Sequence, residues 1–308
     1  MREPSATPGA RVCHLMAGNE SGAVVVTGAS TGIGRATALF LDRKGYRVFA
    51  GVRKQPDAEE LRRRSSDRLT PITLDVTDQN SIASAEEQVT KGLRDQGLVG
   101  LVNNAGVGGG GGPIEHMSLD DLRSALEVNL IGQVAVTQAF IPLIRRAKGT
   151  IVFLASIGGR VASPFMSPYN TSKFGVEALG ESLRHELRPW EIDVVVVEPG
   201  SIDTEIWGKG NKAVRERVER MPEDARRLYG RQLARFGEVI RETADRGIRP
   251  EKVATVIWKA ISSDNPRHRY LVGTDAKIGA RLKGVLPDRV FSKLAGRQMK
   301  MPTDVPSE

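Results

Sequence analysis

Tyr169 and Lys173 stand four apart in the run Pro168-Tyr169-Asn170-Thr171-Ser172-Lys173, a spacing that brings both to one face of a helix. A free phenol titrates near 10, too high for proton transfer at neutral pH, roughly as any unperturbed tyrosine does. An ammonium one helical turn away favours the phenolate and lowers that value. By itself the pair is a weak signal, because most such neighbours decorate surfaces. Its setting strengthens it. Ser156 follows the apolar run Ile151–Ala155, at the carboxyl end of an expected strand, where open α/β sheets place ligands. A hydroxyl there can hydrogen-bond a carbonyl oxygen. Together the three groups suit acid–base chemistry at a hydroxyl or carbonyl oxygen.

Such groups need a scaffold, and the rest of the chain supplies its pattern. Short β-branched runs at 23–27, 47–52, 69–75, 98–103, 150–155 and 193–198 alternate with amphipathic stretches at 33–44, 81–94, 119–146 and 168–187. Apolar strands separated by helices imply a parallel sheet covered on both faces. The expected fold is therefore α/β, a doubly wound, mostly parallel Rossmann-like sheet in a single domain over residues 21–308. Beyond Gly200 the spacing changes. Residues 205–250 read as charged helices broken at Pro222 and Gly230, placed to form a substrate lid, before a helix at 251–262 and a strand at 270–272 return to the core pattern. Residues 1–20 read as a mobile extension.

The first strand runs into Thr27-Gly28-Ala29-Ser30-Thr31-Gly32-Ile33-Gly34. Gly28 would permit the tight turn, Gly32 would let backbone approach a pyrophosphate, and Gly34 would allow close helix–sheet packing. Free N–H groups at the helix start would face the phosphates. After the second strand the chain offers Val52 and Arg53 where an NAD-binding protein usually offers an acid. A guanidinium at that place pairs with a 2′-phosphate, so NADP is expected, with NAD the alternative. Asp75-Val76 ends the third strand, either to meet an adenine ring or to open the next helix.

With these residues in hand, the chain resembles the short-chain dehydrogenase/reductase family over roughly residues 21–275. The resemblance rests on TGASTGIG at 27–34, Asn103-Asn104-Ala105-Gly106, Asn129 within Glu127-Val128-Asn129-Leu130, Ser156, Tyr169 with Lys173, and Pro199-Gly200. The phrases Leu183-Arg184-His185-Glu186-Leu187-Arg188-Pro189 and Val197-Glu198-Pro199-Gly200 are similar to the retinol, hydroxysteroid and hydroxybutyrate dehydrogenase branch. The family implies an oxidoreductase acting on an alcohol or carbonyl substrate. Tyr169 would be general acid in reduction and base in oxidation. Lys173 would lower its pKa and hold the nicotinamide ribose, Ser156 would polarise the carbonyl, and Asn129 would anchor a water in a proton relay. Asn103, Ala105 and Gly106 would line the cofactor cleft with Ser30, Thr31, Ile33, Pro199, Gly200, Ile202 and Thr204. A homodimer or homotetramer built on the helices at 119–146 and 168–187 is also implied. A dinucleotide-sensing regulatory protein would use the same fold, since fold does not fix function, but its expected mark is a broken catalytic set.

Composition narrows the rest. Over 308 residues, 40% hydrophobic and 27% charged, the chain is ordinary globular material, and its one cysteine, Cys13, excludes an internal disulfide or a multi-cysteine metal site. A cytoplasmic location fits that cysteine use. No metal site is expected from four scattered histidines, and no apolar run was expected to span a membrane. The net charge of +8 lies in one part of the chain: residues 1–204 carry 22 Lys+Arg and 23 Asp+Glu, residues 205–308 carry 23 and 14. No nucleic-acid motif accompanies it. The excess favours either an anionic substrate beneath the lid or a solvated basic surface. Gly108–Gly112 either widens the substrate entrance or forms a surface insertion. Trp207, Met221, Tyr229 and Phe236 either line a pocket or pack helices.

Overall fold

A computed structural model describes residues 22–108, 111–204, 216, 219, 221–244, 246–299 and 302. The expected mobile extension at 1–20, Trp207 and most of 205–220 lie outside them.

Seven strands, β1 (Ala23–Val26), β2 (Arg47–Val52), β3 (Leu69–Thr73), β4 (Leu98–Asn103), β5 (Thr150–Leu154), β6 (Asp193–Pro199) and β7 (Arg269–Val272), pair in the order β3-β2-β1-β4-β5-β6-β7. Every pairing is parallel. The order reverses between β1 and β4, which is the crevice where such sheets take a ligand. Val24, Val25, Val26, Val152 and Val195 have no exposed surface, as expected of strands covered on both faces.

Two layers of helix do the covering. On one side lie α1 (Gly32–Arg43) and α2 (Gln55–Arg64). On the other lie α3 (Gln79–Leu93), α4 (Leu119–Leu126), α5 (Gly132–Ala147) and α6 (Ser167–Leu187). The chain continues through α7 (Glu223–Ala244), α8 (Pro250–Ile261), α9 (Thr274–Val285) and α10 (Asp288–Met299). One core joins Phe49, Ile72, Leu101, Phe140 and Val176 on the α3–α5–α6 face. The other joins Leu41, Leu61, Val152, Val253 and Ile257 on the α1–α8 face. At about 1.5–3 kcal/mol for each large side chain buried, these two layers are the main source of stability.

The strands and main helices fall where the alternating pattern puts them, within two residues at most ends. Four differences have physical causes. Gly230 does not break α7, because a single glycine costs a helix only about 1 kcal/mol and Leu233, Phe236 and Ile240 are buried on its far side. The helix α2 was missed beyond its basic end because Gln55–Arg64 is nearly all polar, burying only Ala58 and Leu61. The helices α9 and α10 differ from the expectation for another reason: their large apolar side chains, Ile278, Leu282, Val285, Val290 and Leu294, face outward, and α9 buries only Ala276 and Ala280. The long helix expected over 119–146 is interrupted by a π turn at Glu127–Ile131, which carries Asn129. Such turns inside helices frequently mark functional sites. By length and composition the run Leu119–Ala147 could cross a membrane, contrary to the expectation of no such segment. Here Val136, Phe140, Leu143 and Ile144 are instead buried against the sheet.

Candidate active site

The carboxyl ends of β1, β4, β5 and β6 converge on one crevice, and the glycine turn forms its floor. Gly28 has φ +63° and Gly32 φ +54°, left-handed conformations that a side chain resists. A Cβ on Gly28 would stand 2.8 Å from Ala105 Cα, and one on Gly34 would stand 2.1 Å from the Gly28 carbonyl oxygen. The Gly34 Cβ position also lies 2.4 Å from Asn104 Nδ2, so its missing side chain lets α1 start close against the residues that follow β1 and β4. Thr31 precedes α1 without a side-chain capping bond, leaving the first-turn N–H groups of Gly32, Ile33 and Gly34 as a natural anion cradle. Ser30 and Thr31 are half-buried at its lip.

Asn104 ties this turn down. Its Nδ2 donates to the Thr27 and Gly28 carbonyl oxygens at 2.9 and 3.1 Å. Thr27 Oγ1 in turn accepts from the Asn104 and Ala105 N–H groups, both at 2.9 Å. The Asn-Asn-Ala-Gly motif contained Asn104, but only the fold shows which of its two asparagines faces the turn. Asn103, expected to line the cleft, sends its side chain into the interior, where Nδ2 donates to Thr137 Oγ1 on α5 at 2.9 Å. The strand's alternation explains this, since successive side chains point to opposite faces. Asn104→Ala is expected to lower stability by about 1–3 kcal/mol, from two buried carbonyls losing their donor, and to raise the dinucleotide Kd. Chemical denaturation and a dinucleotide titration would check both.

Ser156, Tyr169 and Lys173 meet at the end of β5. Ser156 Oγ accepts from the Gly158 N–H at 3.0 Å. Gly158 matters here: a Cβ on it would stand 3.1 Å from the Tyr169 ring and 3.4 Å from Ser156 Oγ, so its smallness admits the tyrosine. Lys173 is buried, its Nζ donating to the Leu154 carbonyl oxygen at 2.7 Å and lying 5.9 Å from the Tyr169 ring centroid. Burial pushes the Tyr169 phenol above its ordinary value, the Ser156 hydrogen bond pulling the other way. That is opposite to the lowering expected from the lysine: desolvation is the largest influence on the phenol, and Ser156, not Lys173, is what opposes it. Lys173 itself falls to about 8, through burial, which the Glu177 carboxylate partly offsets.

Asn129 reaches the same place from the π turn. Oδ1 accepts from the Val107 N–H at 2.7 Å, while Nδ2 donates to the Val107 carbonyl oxygen at 2.9 Å and to Ser172 Oγ at 3.0 Å. The amide thus straps the loop after β4 to α6. Gly106 lies between: a Cβ on it would come within 3.2 Å of Asn129 Oδ1 and 3.8 Å of Lys173 Nζ.

At the far end of the crevice, Gly200 N donates to Val272 O at 2.8 Å. The Asp275 carboxylate takes the space a Gly200 side chain would need and accepts from Ser201 N at 2.7 Å. Pro199 and Ile202 are buried, and Thr204 Cγ2 stands 3.2 Å from the Cβ position of Gly32. At the other end Arg53 is exposed. Asp75 accepts from the Thr77 N–H and hydroxyl at 3.0 and 2.8 Å. Burial pushes its carboxyl up, but those two bonds and the Arg53 charge outweigh it and hold it below the usual range. The helix cap is Asp78, which accepts from Asn80 N and Ser81 N, so Asp75 does not cap α3. Val76 is buried beside it.

Behind Lys173 lies an ion cluster that no motif announced. Glu198, with no exposed surface, pairs with Arg160 at 2.6 Å and with Arg269 at 2.7 Å. Arg269 also pairs with Glu177 at 2.8 Å. Burial, then the Glu177 charge, pushes Glu198 up to about 7 against the pull of the two guanidinium groups.

A cavity of about 620 Å³, mainly apolar, borders α6 at Ser167, Asn170 and Phe174 and is walled also by Gly112, Phe165 and Tyr229. Of the lid residues, Tyr229 lines it, while Met221 and Phe236 are buried: Met221 packs with Ala225 and Leu233, and the Phe236 ring lies 5.7 Å from Phe165. By sequence the lid at 205–250 carries 12 Lys+Arg and 8 Asp+Glu and residues 251–308 carry 11 and 6, so the basic excess is shared between the lid and the C-terminal helices.

Residues 22–215 match the family model described as short chain dehydrogenase. Human retinol dehydrogenase 16 is 38% identical over 83% of this chain and 81% of its own. The NADPH-dependent 3-dehydrocapnine reductase of Ornithobacterium rhinotracheale is 33% identical over 90% and 96%. Among solved structures, a short-chain dehydrogenase from Streptomyces avermitilis superposes with a TM-score of 0.72 at 28% identity, covering 92% of this chain and 98% of that one. The chain belongs to the short-chain dehydrogenase family, on its retinol and hydroxysteroid side, and is an oxidoreductase acting on hydroxyl or carbonyl groups. Nothing in these relationships supports the regulatory alternative.

Proposed function

We propose that this chain is an NADP-preferring alcohol dehydrogenase or carbonyl reductase in which Tyr169 moves the proton. The observation that carries the reading is the convergence of Ser156 and Tyr169 on Gly158, whose Cβ position lies 3.4 Å from the serine Oγ and 3.1 Å from the tyrosine ring, beside the buried Lys173, at the ligand-binding end of the sheet. The nicotinamide dinucleotide, when bound, supplies or accepts the hydride. In reduction the protonated phenol donates to the substrate oxygen, and in oxidation it takes the proton back. Ser156 orients that oxygen and polarises its bond to carbon. Lys173 holds positive charge beside the phenol and would hold the nicotinamide ribose, and Asn129, which braces the Gly106–Val107 loop, would support a water on the proton's way out. The fit to a dinucleotide rests on the cradle at Gly28–Gly34, which side chains would fill. Ser30, Thr31 and Ile33 would hold the phosphates with it. Asp75 and Val76 would face the adenine, Ala105, Gly106, Pro199, Gly200 and Ile202 would line the remainder, and Thr204 would close over the phosphates.

Arg53 is the residue we assign to the 2′-phosphate. Arg53→Asp is expected to lower the ratio of kcat/KM for NADPH over NADH by about 10–100-fold, the range of one charge-assisted hydrogen bond. An unchanged ratio would remove Arg53 from the binding site.

The apolar cavity argues for a substrate that carries its carbonyl on a bulky apolar frame. Initial rates on retinoids, steroids, 3-oxoacyl thioesters and small ketones with both cofactors test this; turnover confined to small polar ketones would overturn it. The lid at 205–250 would cover that substrate. We further propose a cytoplasmic homodimer or homotetramer, joined through the helices that expose Leu119, Ile131 and Phe174. Light scattering of the full-length protein would read the assembly.

A further inference from the structure

The C-terminal helices turn their large apolar side chains away from the body. In α9 the inward residues are Ala276 and Ala280, both buried. Ile278, Leu282 and Val285 fall about 180° around the helix from them and are 55%, 42% and 75% exposed. No residue of α10 is buried, and its Val290 and Leu294, one turn apart, are each 45% exposed. A helix in a protein ordinarily gains its stability by burying such a stripe. These two present it to the outside.

The charge on the same helices indicates what would cover it. Lys277, Arg281, Lys283, Arg289, Lys293 and Arg297 stand against only Asp275 and Asp288. Both acids are already engaged within the chain, Asp275 with Ser201 N and Asp288 with Lys283 at 2.5 Å. An aliphatic stripe alone would suit a second protein, and a basic face alone would suit a nucleic acid. Aliphatic side chains rimmed by exposed cations match the boundary between acyl chains and anionic headgroups.

We propose that the helical pair Thr274–Met299 docks the protein peripherally on an anionic lipid surface, aliphatic side chains in the headgroup boundary and cations against lipid phosphates. Because α9 starts against Ser201 and passes Ile157, the neighbour of Ser156, at 3.7 Å from the Cβ position of Gly279, the docked face adjoins the substrate end of the crevice. Docking of this face is independent of which substrate is turned over.

Flotation of the full-length protein with vesicles tests it. The protein is expected to float with vesicles of mixed phosphatidylglycerol and phosphatidylcholine, not with phosphatidylcholine alone, and to be released as salt screens the charges. Ile278→Ser with Leu282→Ser should abolish flotation while leaving cofactor binding and turnover of a water-soluble substrate unchanged. Arg281→Gln with Lys293→Gln should weaken partitioning roughly fivefold for each charge removed. Failure of the wild-type protein to float, or flotation indifferent to both pairs of substitutions, would overturn the proposal. So would sedimentation showing that Ile278 and Leu282 hold a second copy of the chain instead.

Discussion

Tyr169→Phe is expected to lower kcat by about 10²–10⁴-fold in both directions while leaving the dinucleotide Kd nearly unchanged. The ring that packs against Gly158 stays, and only the hydroxyl goes. Ser156→Ala should cost somewhat less, about 10²–10³-fold, because it removes one polarising donor and leaves the acid in place. The raised phenol adds a directional consequence. Reduction uses the protonated form and should hold its rate through neutral pH. Oxidation requires the phenolate, so its kcat/KM should climb as pH rises above neutrality. Single-turnover rates in both directions, with fluorescence titration of the dinucleotide, would measure all of this. A Phe variant within tenfold of wild type would exclude Tyr169 as the proton carrier.

Arg269→Ala is expected to destabilise the fold by about 3 kcal/mol, since removing one partner of a buried ion pair leaves its charge uncompensated. The estimate takes the lower end because the guanidinium is 36% exposed, although Glu198 is not exposed at all. In melting experiments this corresponds to a fall in Tm of roughly 6–12 °C. The pH dependence has a definite sign. Glu198 titrates at about 7 in the folded chain against 4.5 when unperturbed. Its protonation therefore favours folding fully below about 4.5, and that contribution is lost as pH rises to about 7. Without Arg269 the loss should be steeper and extend higher. Arg269→Met combined with Glu198→Gln should recover much of the Tm. If Arg269→Ala melts like wild type, the cluster does not hold the fold.

The parts of this site that sequence could show are those where backbone chemistry dictates residue type. Gly28 and Gly32 were legible because only glycine tolerates their φ values, and Tyr169 and Lys173 because a helix turn fixes their relation. What stayed hidden depends on contacts between distant segments. Asn104 could not be told from Asn103 as the strap of the turn without knowing which face of β4 meets α5. The Glu177–Arg269 contact joins residues 92 positions apart, and no local pattern marks it. The direction of the Tyr169 shift depended on how far the folded surroundings desolvate its hydroxyl, which spacing does not report. The two readings of the charge excess stayed open because the helices Thr274–Val285 and Asp288–Met299, which carry six of its cations, have no pattern that marks their outward faces.

The ion cluster also bears on the order in which the chain can mature during synthesis. Glu177 and Glu198 emerge from the ribosome well before Arg269, the cation they share. Until β7 arrives, closing α6 onto β6 would bury Glu198 with Arg160 as its one paired cation and leave Glu177 without the guanidinium it hydrogen-bonds. The catalytic segment therefore has reason to stay open until the last strand is made, so that a nascent chain halted before residue 269 should hold its tyrosine and lysine in the right sequence but not yet in the right place.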